Sequence, residues 1–169
     1  MFTRSRAITA AIAIIFCAAV TASAQQDFGF STSDGQSVTL SSMRGNVAVL
    51  LFSGVQDPQR REGLKALEAL ADRFQGKEVK FFWVSINPAT ELTNDQLKSM
   101  AGASGSVRVL RDTNQAAFKR FSGKIAQLPT IVVLDPQGNP FGQPRGGFNP
   151  NSDFINDLAS IIDRLLQRK

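Results

Sequence analysis

The side chains best suited to nucleophilic, redox or metal chemistry are nearly missing from this chain: its 169 residues include one cysteine, Cys17, and no histidine. Cys17 also falls in a stretch with the pattern of a targeting signal. Arg4 and Arg6 precede an apolar run from Ala7 to Val20, and Ala22-Ser23-Ala24 has the small-x-small form of a cleavage site. The pattern predicts a cleavable secretory signal over 1–24 and export to the periplasm or the medium. At about fourteen residues the run is shorter than the roughly twenty a spanning helix needs, so no stable membrane insertion is expected after cleavage. A lipid anchor would place its cysteine at the cleavage point, whereas Cys17 follows the bulky Phe16 upstream of it. Residues 25–169 are then a domain without thiol or imidazole.

That composition excludes several chemistries. Ser-His and Cys-His nucleophilic pairs need an imidazole, and copper or zinc sites draw on cysteine and histidine ligands. The Asp and Glu residues show no close pair with metal-loop spacing. No metal and no other cofactor is expected. Loss of Arg4 and Arg6 leaves 17 basic against 14 acidic residues, a side-chain charge of +3. The basic residues are spread out in groups no longer than two, as at Arg60-Arg61 and Arg168-Lys169, which gives no sign of a nucleic-acid partner.

About 145 residues suffice for one core that buries roughly two-thirds of the unfolded chain's surface. The elements that build it read as alternating strands and helices, an α/β pattern. Asp34-Gly35 marks a hairpin within 28–43. The continuous apolar run Val47 to Phe52 suits a central strand buried on both faces. Asp57-Pro58 reads as a helix start, with Asp57 the N-cap and Pro58 the first helical residue. Leu64, Leu67, Leu70, Ala71 and Phe74 then recur at helical spacing until Gln75-Gly76. Val79 to Ile86 is a second central strand, ended by Asn87-Pro88. Its Phe81, Phe82 and Trp83 alternate sides and so belong to two core faces, not to one aromatic platform. A helix over 93–100, a strand over 107–110 and a helix over 114–121 follow. Pro129 opens a strand to Leu134, the turn Asp135 to Pro140 leads to an edge arm near 141–148, and a helix from about Ser152 closes the chain.

This order resembles the thioredoxin-like redoxins, the exported thiol-disulfide oxidoreductases and their peroxiredoxin relatives. The resemblance covers nearly all of 25–169 and rests on three stretches: Asp34 to Leu40 with Arg44-Gly45, Leu50 to Leu70, and Leu128-Pro129-Thr130 followed by Ile131 to Gly138. It implies a three-layer sandwich, a central mixed sheet flanked by helices with an N-terminal β-hairpin extension. It also implies a redox loop after the first central strand, where such proteins carry two cysteines. Here that loop reads Ser53-Gly54-Val55-Gln56-Asp57-Pro58-Gln59, so Gln56 and Gln59 stand at the cysteine positions and Pro129 at that of the family's cis-proline.

Disulfide exchange and peroxide reduction both need a thiolate. A carboxamide is a poor nucleophile without a redox couple, but it donates and accepts hydrogen bonds. Gln56 and Gln59 are therefore either solvated residues at a helix start or a polar contact surface. An N-cap Asp57 spends its lone pairs on backbone N–H groups, which favours a capping role over general-base work. Pro129 either only starts its strand or, with Leu128 and Thr130, offers an extended edge to a partner peptide. The resulting expectation is an exported module that binds an envelope protein or extended peptide without catalysis. The alternative is an oxidoreductase or peroxiredoxin-like enzyme that works with a partner's cysteine.

Overall fold

In a computed structural model, which describes residues 27–100, 105–123, 127–147 and 151–168, the elements follow the apolar pattern of the chain. The expected signal segment 1–24 lies outside the described residues. The strands are β1 (Gly29–Thr32), β2 (Ser37–Thr39), β3 (Val47–Ser53), β4 (Val79–Ser85), β5 (Val107–Arg111), β6 (Thr130–Leu134) and β7 (Arg145–Gly146). The helices are α1 (Arg60–Arg73), α2 (Asn94–Ser99), α3 (Ala116–Ser122) and α4 (Ser152–Leu166).

All seven strands share one mixed sheet in the order β2-β1-β5-β4-β3-β6-β7. β3, β4 and β5 run parallel, while β6 is antiparallel to β3 and β1 is antiparallel to β5. Every residue of β3 is buried. Because side chains alternate along a strand, Val47, Val49 and Leu51 enter one core and Ala48, Leu50 and Phe52 the other. Leu67 and Leu70 of α1 and Leu158 and Ile162 of α4 close the first core. Phe118 and Phe121 of α3, with Phe28, Phe30 and Met43 from the N-terminal hairpin region, close the second. Phe81 and Trp83 pack in the first and Phe82 in the second, as alternation requires. The result is the expected α/β three-layer sandwich. Full burial of an aliphatic or aromatic side chain contributes about 1.5–3 kcal/mol.

Of the boundaries that differ from the sequence reading, two lie next to the strand ends that matter most. Helix α1 begins at Arg60, with Gln59 as its N-cap residue and no side-chain cap, so Pro58 is not its first residue. The Asp57 carboxylate instead closes a turn ahead of the helix, accepting from the Gln59 N–H at 2.9 Å and from the Ser53 hydroxyl at 2.9 Å. Helical bonding starts only when the Gly63 N–H reaches the Gln59 carbonyl at 2.9 Å. Among the described residues, the arm expected near 141–148 forms a strand only at Arg145–Gly146, preceded by a bridge between Leu134 and Pro140 and flanked by single bonds from the Phe141 N–H to the Val133 carbonyl and the Gly147 N–H to the Pro129 carbonyl. Gly142-Gln143-Pro144 interrupts it, since proline lacks the N–H a ladder needs. Phe148 lies outside the described residues.

Helix α2 carries a complete capping box: the Thr93 side chain accepts from the Gln96 N–H and the Gln96 side chain from the Thr93 N–H. The signal for it, Thr-x-x-Gln, stands in the sequence.

Candidate functional site

Three strand ends meet around the loop that follows β3. Its neighbours are the C-terminal end of β4 on one side and the N-terminal end of β6 on the other, because Ser53 pairs with Ser85 and Phe52 with Thr130. Gly54 is the point of contact. A Cβ there would sit 3.3 Å from Asn87 Oδ1, close enough that Asn87 would have to shift by a few tenths of an ångström, and in ordinary contact with Leu128 Cδ1 at 3.6 Å. The loop thus lies directly against Leu128, and the Leu128–Pro129 peptide bond is cis.

Beyond Gly54 the loop is held by its own polar atoms. The Asp57 N–H donates to the Gly54 carbonyl at 3.2 Å, the Arg60 N–H to the Asp57 carbonyl at 3.2 Å, and the Arg60 guanidinium to the Val55 carbonyl at 3.1 Å. Ser53 is fully buried and gives its hydroxyl to Asp57 Oδ2. Asp57 is therefore an acceptor in the turn before the helix and not the expected helix N-cap. Gln56 and Pro58 are exposed and Gln59 is half-buried. Among the described residues, neither glutamine carboxamide has a hydrogen-bond partner, so both remain available to an outside group.

On the facing side, the three residues Leu128, Pro129 and Thr130 are not equivalent. Thr130 is fully buried and sits in register between Phe52 and Gly146, and its hydroxyl donates to the Gln127 carbonyl. The Pro129 carbonyl already accepts from the Gly147 N–H at 2.9 Å. Leu128 is half-buried, and among the described residues its N–H and carbonyl have no hydrogen-bond partner. The open backbone of this edge is narrowed to Leu128.

Three further residues build the site and were not singled out in the sequence. Asn87, read there only as a strand terminator, accepts from the Val55 N–H at 2.9 Å through Oδ1 and donates through Nδ2 to Glu91 at 2.7 Å. Arg111, at the end of β5, is buried and donates to the Asn87 carbonyl at 2.7 Å, the Leu92 carbonyl at 2.6 Å and Asn94 Oδ1 at 3.2 Å. Burial lowers its pKa from the ordinary arginine value. The adjacent Asp112 is also buried, and burial raises its carboxyl pKa even though the N–H groups at the start of α3 oppose the shift. The Phe118 N–H donates to it at 2.7 Å, so Asp112 caps α3 from six residues upstream. The available signal was a charged pair, Arg111-Asp112, directly after Val109-Leu110 at the end of the strand.

Among the described residues no three histidine, cysteine, aspartate or glutamate side chains gather as metal ligands, and no helix is long and apolar enough to cross a membrane. The arrangement supplies hydrogen-bonding carboxamides, a glycine-lined contact and one open backbone segment.

Similar folds are found among solved structures. The thiol:disulfide interchange protein of the thioredoxin family from Chlorobium tepidum superposes with a TM-score of 0.63 at 21% identity, over 83% of this chain and 93% of that one. The exposed lipoprotein thioredoxin of Streptococcus pneumoniae gives 0.64 at 18% identity, over 80% and 98%. The copper-bound ScoI of Arabidopsis thaliana gives 0.62 at 16% identity, over 82% and 98%. At these identities the likeness establishes a thioredoxin-like fold. No sequence among the curated proteins matches the chain. The model of the AhpC/TSA family matches residues 21–139, well over half of the sequence and including the loop after β3 and the Leu128–Thr130 segment. The chain belongs to the AhpC/TSA family.

Proposed function

We propose that this protein is an exported redoxin-fold module of the cell envelope that binds a partner protein or an extended peptide without thiol chemistry. The observation that carries the reading is the pair Gln56 and Gln59. They stand on the loop where a redoxin places its cysteines, with both carboxamides unpartnered among the described residues, in a chain whose only cysteine precedes residue 18 and which has no histidine. The backbone of Leu128, beside Gly54 and unpaired among the described residues, supports a main-chain contact with an extended segment next to those carboxamides. The signal pattern over 1–24 supports export, and the absence of polybasic clusters disfavours nucleic acid as partner.

Protein comprising residues 25–169 is expected to show no thiol in a reagent titration and no disulfide-reductase or peroxidase turnover. Robust turnover by the purified chain alone would overturn the proposal. Membership of the AhpC/TSA family favours a second reading, an enzyme completed by a partner's cysteine. Turnover that appears only when a thiol-bearing envelope protein is added selects that reading.

A further inference from the structure

Besides its internal bonds, the loop that presents Gln56 and Gln59 makes one to a distant side chain. The Val55 N–H bonds to the side chain of a residue thirty-two positions away, Asn87. Chemistry fixes which way that amide points. The Glu91 carboxylate can only accept, so it takes the Nδ2 end at 2.7 Å and leaves Oδ1 for the Val55 N–H. The segment carrying Asn87 and Glu91 is itself held down. Arg111 reaches it with three hydrogen bonds, to Asn87, Leu92 and Asn94. A planar, permanently charged guanidinium suits such a clamp, and lysine cannot reproduce its divergent donors. The Gln115 side chain adds a bond to the Ile86 carbonyl at 3.2 Å, and the Asn87 N–H donates to the Ser85 hydroxyl at 3.2 Å.

We infer that Asn87, aimed by Glu91 and clamped by Arg111, is the positioning residue of the Gly54–Gln59 loop, fixing the shape of the surface offered to the partner whatever side chains stand at 56 and 59. The inference rests on reading that loop as the recognition surface. It also means that cysteines placed at 56 and 59 enter a loop already formed.

A charge-swap cycle tests it. Glu91 is exposed, so Glu91→Lys leaves the core intact while offering Nδ2 a donor in place of an acceptor. Asn87→Asp keeps an acceptor for Val55 but sets two carboxylates against each other. Each single change is expected to speed amide exchange at Val55 by about tenfold, the size of one hydrogen bond, with Leu50 and Leu51 unaffected. The double variant Asn87→Asp/Glu91→Lys rebuilds the pair with opposite charges and is expected to return Val55 to within about threefold of the starting rate. In a Gln56→Cys/Gln59→Cys background, the same singles should shift the dithiol–disulfide equilibrium against glutathione by about tenfold and the swap should restore it. Additive losses without rescue, or an unchanged Val55, would overturn the positioning role. If the cysteine pair forms no intramolecular disulfide while the Val55 cycle behaves as stated, the positioning stands and the placement of 56 and 59 on the old redox loop falls.

Discussion

The tripeptide Asp-Pro-Gln occurs twice, at 57–59 and at 135–137, and the two copies start alike and end differently. In both, the aspartate carboxylate accepts from the N–H two residues on, at 2.9 Å from Gln59 and 3.0 Å from Gln137. In both, the aspartate carbonyl accepts from the N–H three residues on, from Arg60 at 3.2 Å and from Gly138 at 2.8 Å. There the likeness stops. After the first copy the chain continues as α1, whereas after the second Asp135 also accepts from the Asn139 N–H at 2.8 Å and the chain doubles back beside β6. Local chemistry makes the turn, and the following residue with its surroundings decides the exit. Arg60 takes helical geometry in a chain that must cross to the parallel strand β4. Gly138, with φ of 88°, takes a left-handed conformation that returns the chain antiparallel.

The comparison yields a ranked set of outcomes. Asp57→Ala should cost the most, about 2–3 kcal/mol in a denaturant titration, because it strips a charged acceptor from the fully buried Ser53 hydroxyl as well as from the Gln59 N–H. Gly138→Ala should cost about 1–2 kcal/mol, since alanine resists positive φ, while Arg60→Ala should cost under about 1 kcal/mol. Asp135→Ala should cost only about 0.5–1 kcal/mol, because the N–H groups it releases are exposed and water can take them. Equal losses at Asp57 and Asp135 would show that both turns are purely local and that the Ser53 contact adds nothing.

A third strand-end aspartate sharpens the contrast through pH. Burial raises the folded pKa of Asp112 above its unfolded value, so its contribution to stability is full below the unfolded pKa and is lost as pH rises through the folded one. Asp27 and Asp34 have the opposite sign: hydrogen bonds from Ser41 and Thr32 respectively hold their carboxyls low, and their contribution is lost as pH falls. Asp112→Asn keeps an acceptor for the Phe118 N–H and removes the buried charge. The stability of the wild type minus that of the variant should therefore fall with rising pH across the carboxylate range. At pH 7 the two should lie within about 1 kcal/mol. A flat difference would show that the Asp112 carboxyl titrates alike in the folded and unfolded chain.

Much of the molecule was legible in residue order. The all-apolar run through Leu50 and Leu51 announced a strand buried on both faces, and the spacing of Leu67, Leu70 and Phe74 announced the helix covering it. Proline and glycine at Pro88, Gly76 and Gly138 marked real ends. The start of α1 was misplaced by two residues because Asp-Pro is equally good chemistry for a helix cap and for a turn before a helix. Residue order offers Leu128–Thr130 as one edge, while sheet pairing occupies Thr130 and, among the described residues, leaves the Leu128 N–H and carbonyl unpaired.

The sequence by itself determined the elements and the chemistry of the site. Periodicity reports which side chains leave water, and a chain without histidine, whose one cysteine lies at position 17, has no thiol or imidazole to offer from the loop after β3. Only the tertiary structure decided what holds that loop. Its side-chain tie to the next strand joins Val55 to Asn87 across thirty-two residues, beside Glu91 and an arginine on a third strand. Such a contact follows from strand order in the sheet, which brings β3, β4 and β5 side by side. No local pattern encodes that neighbourhood, because each partner satisfies its own propensities equally well without the others.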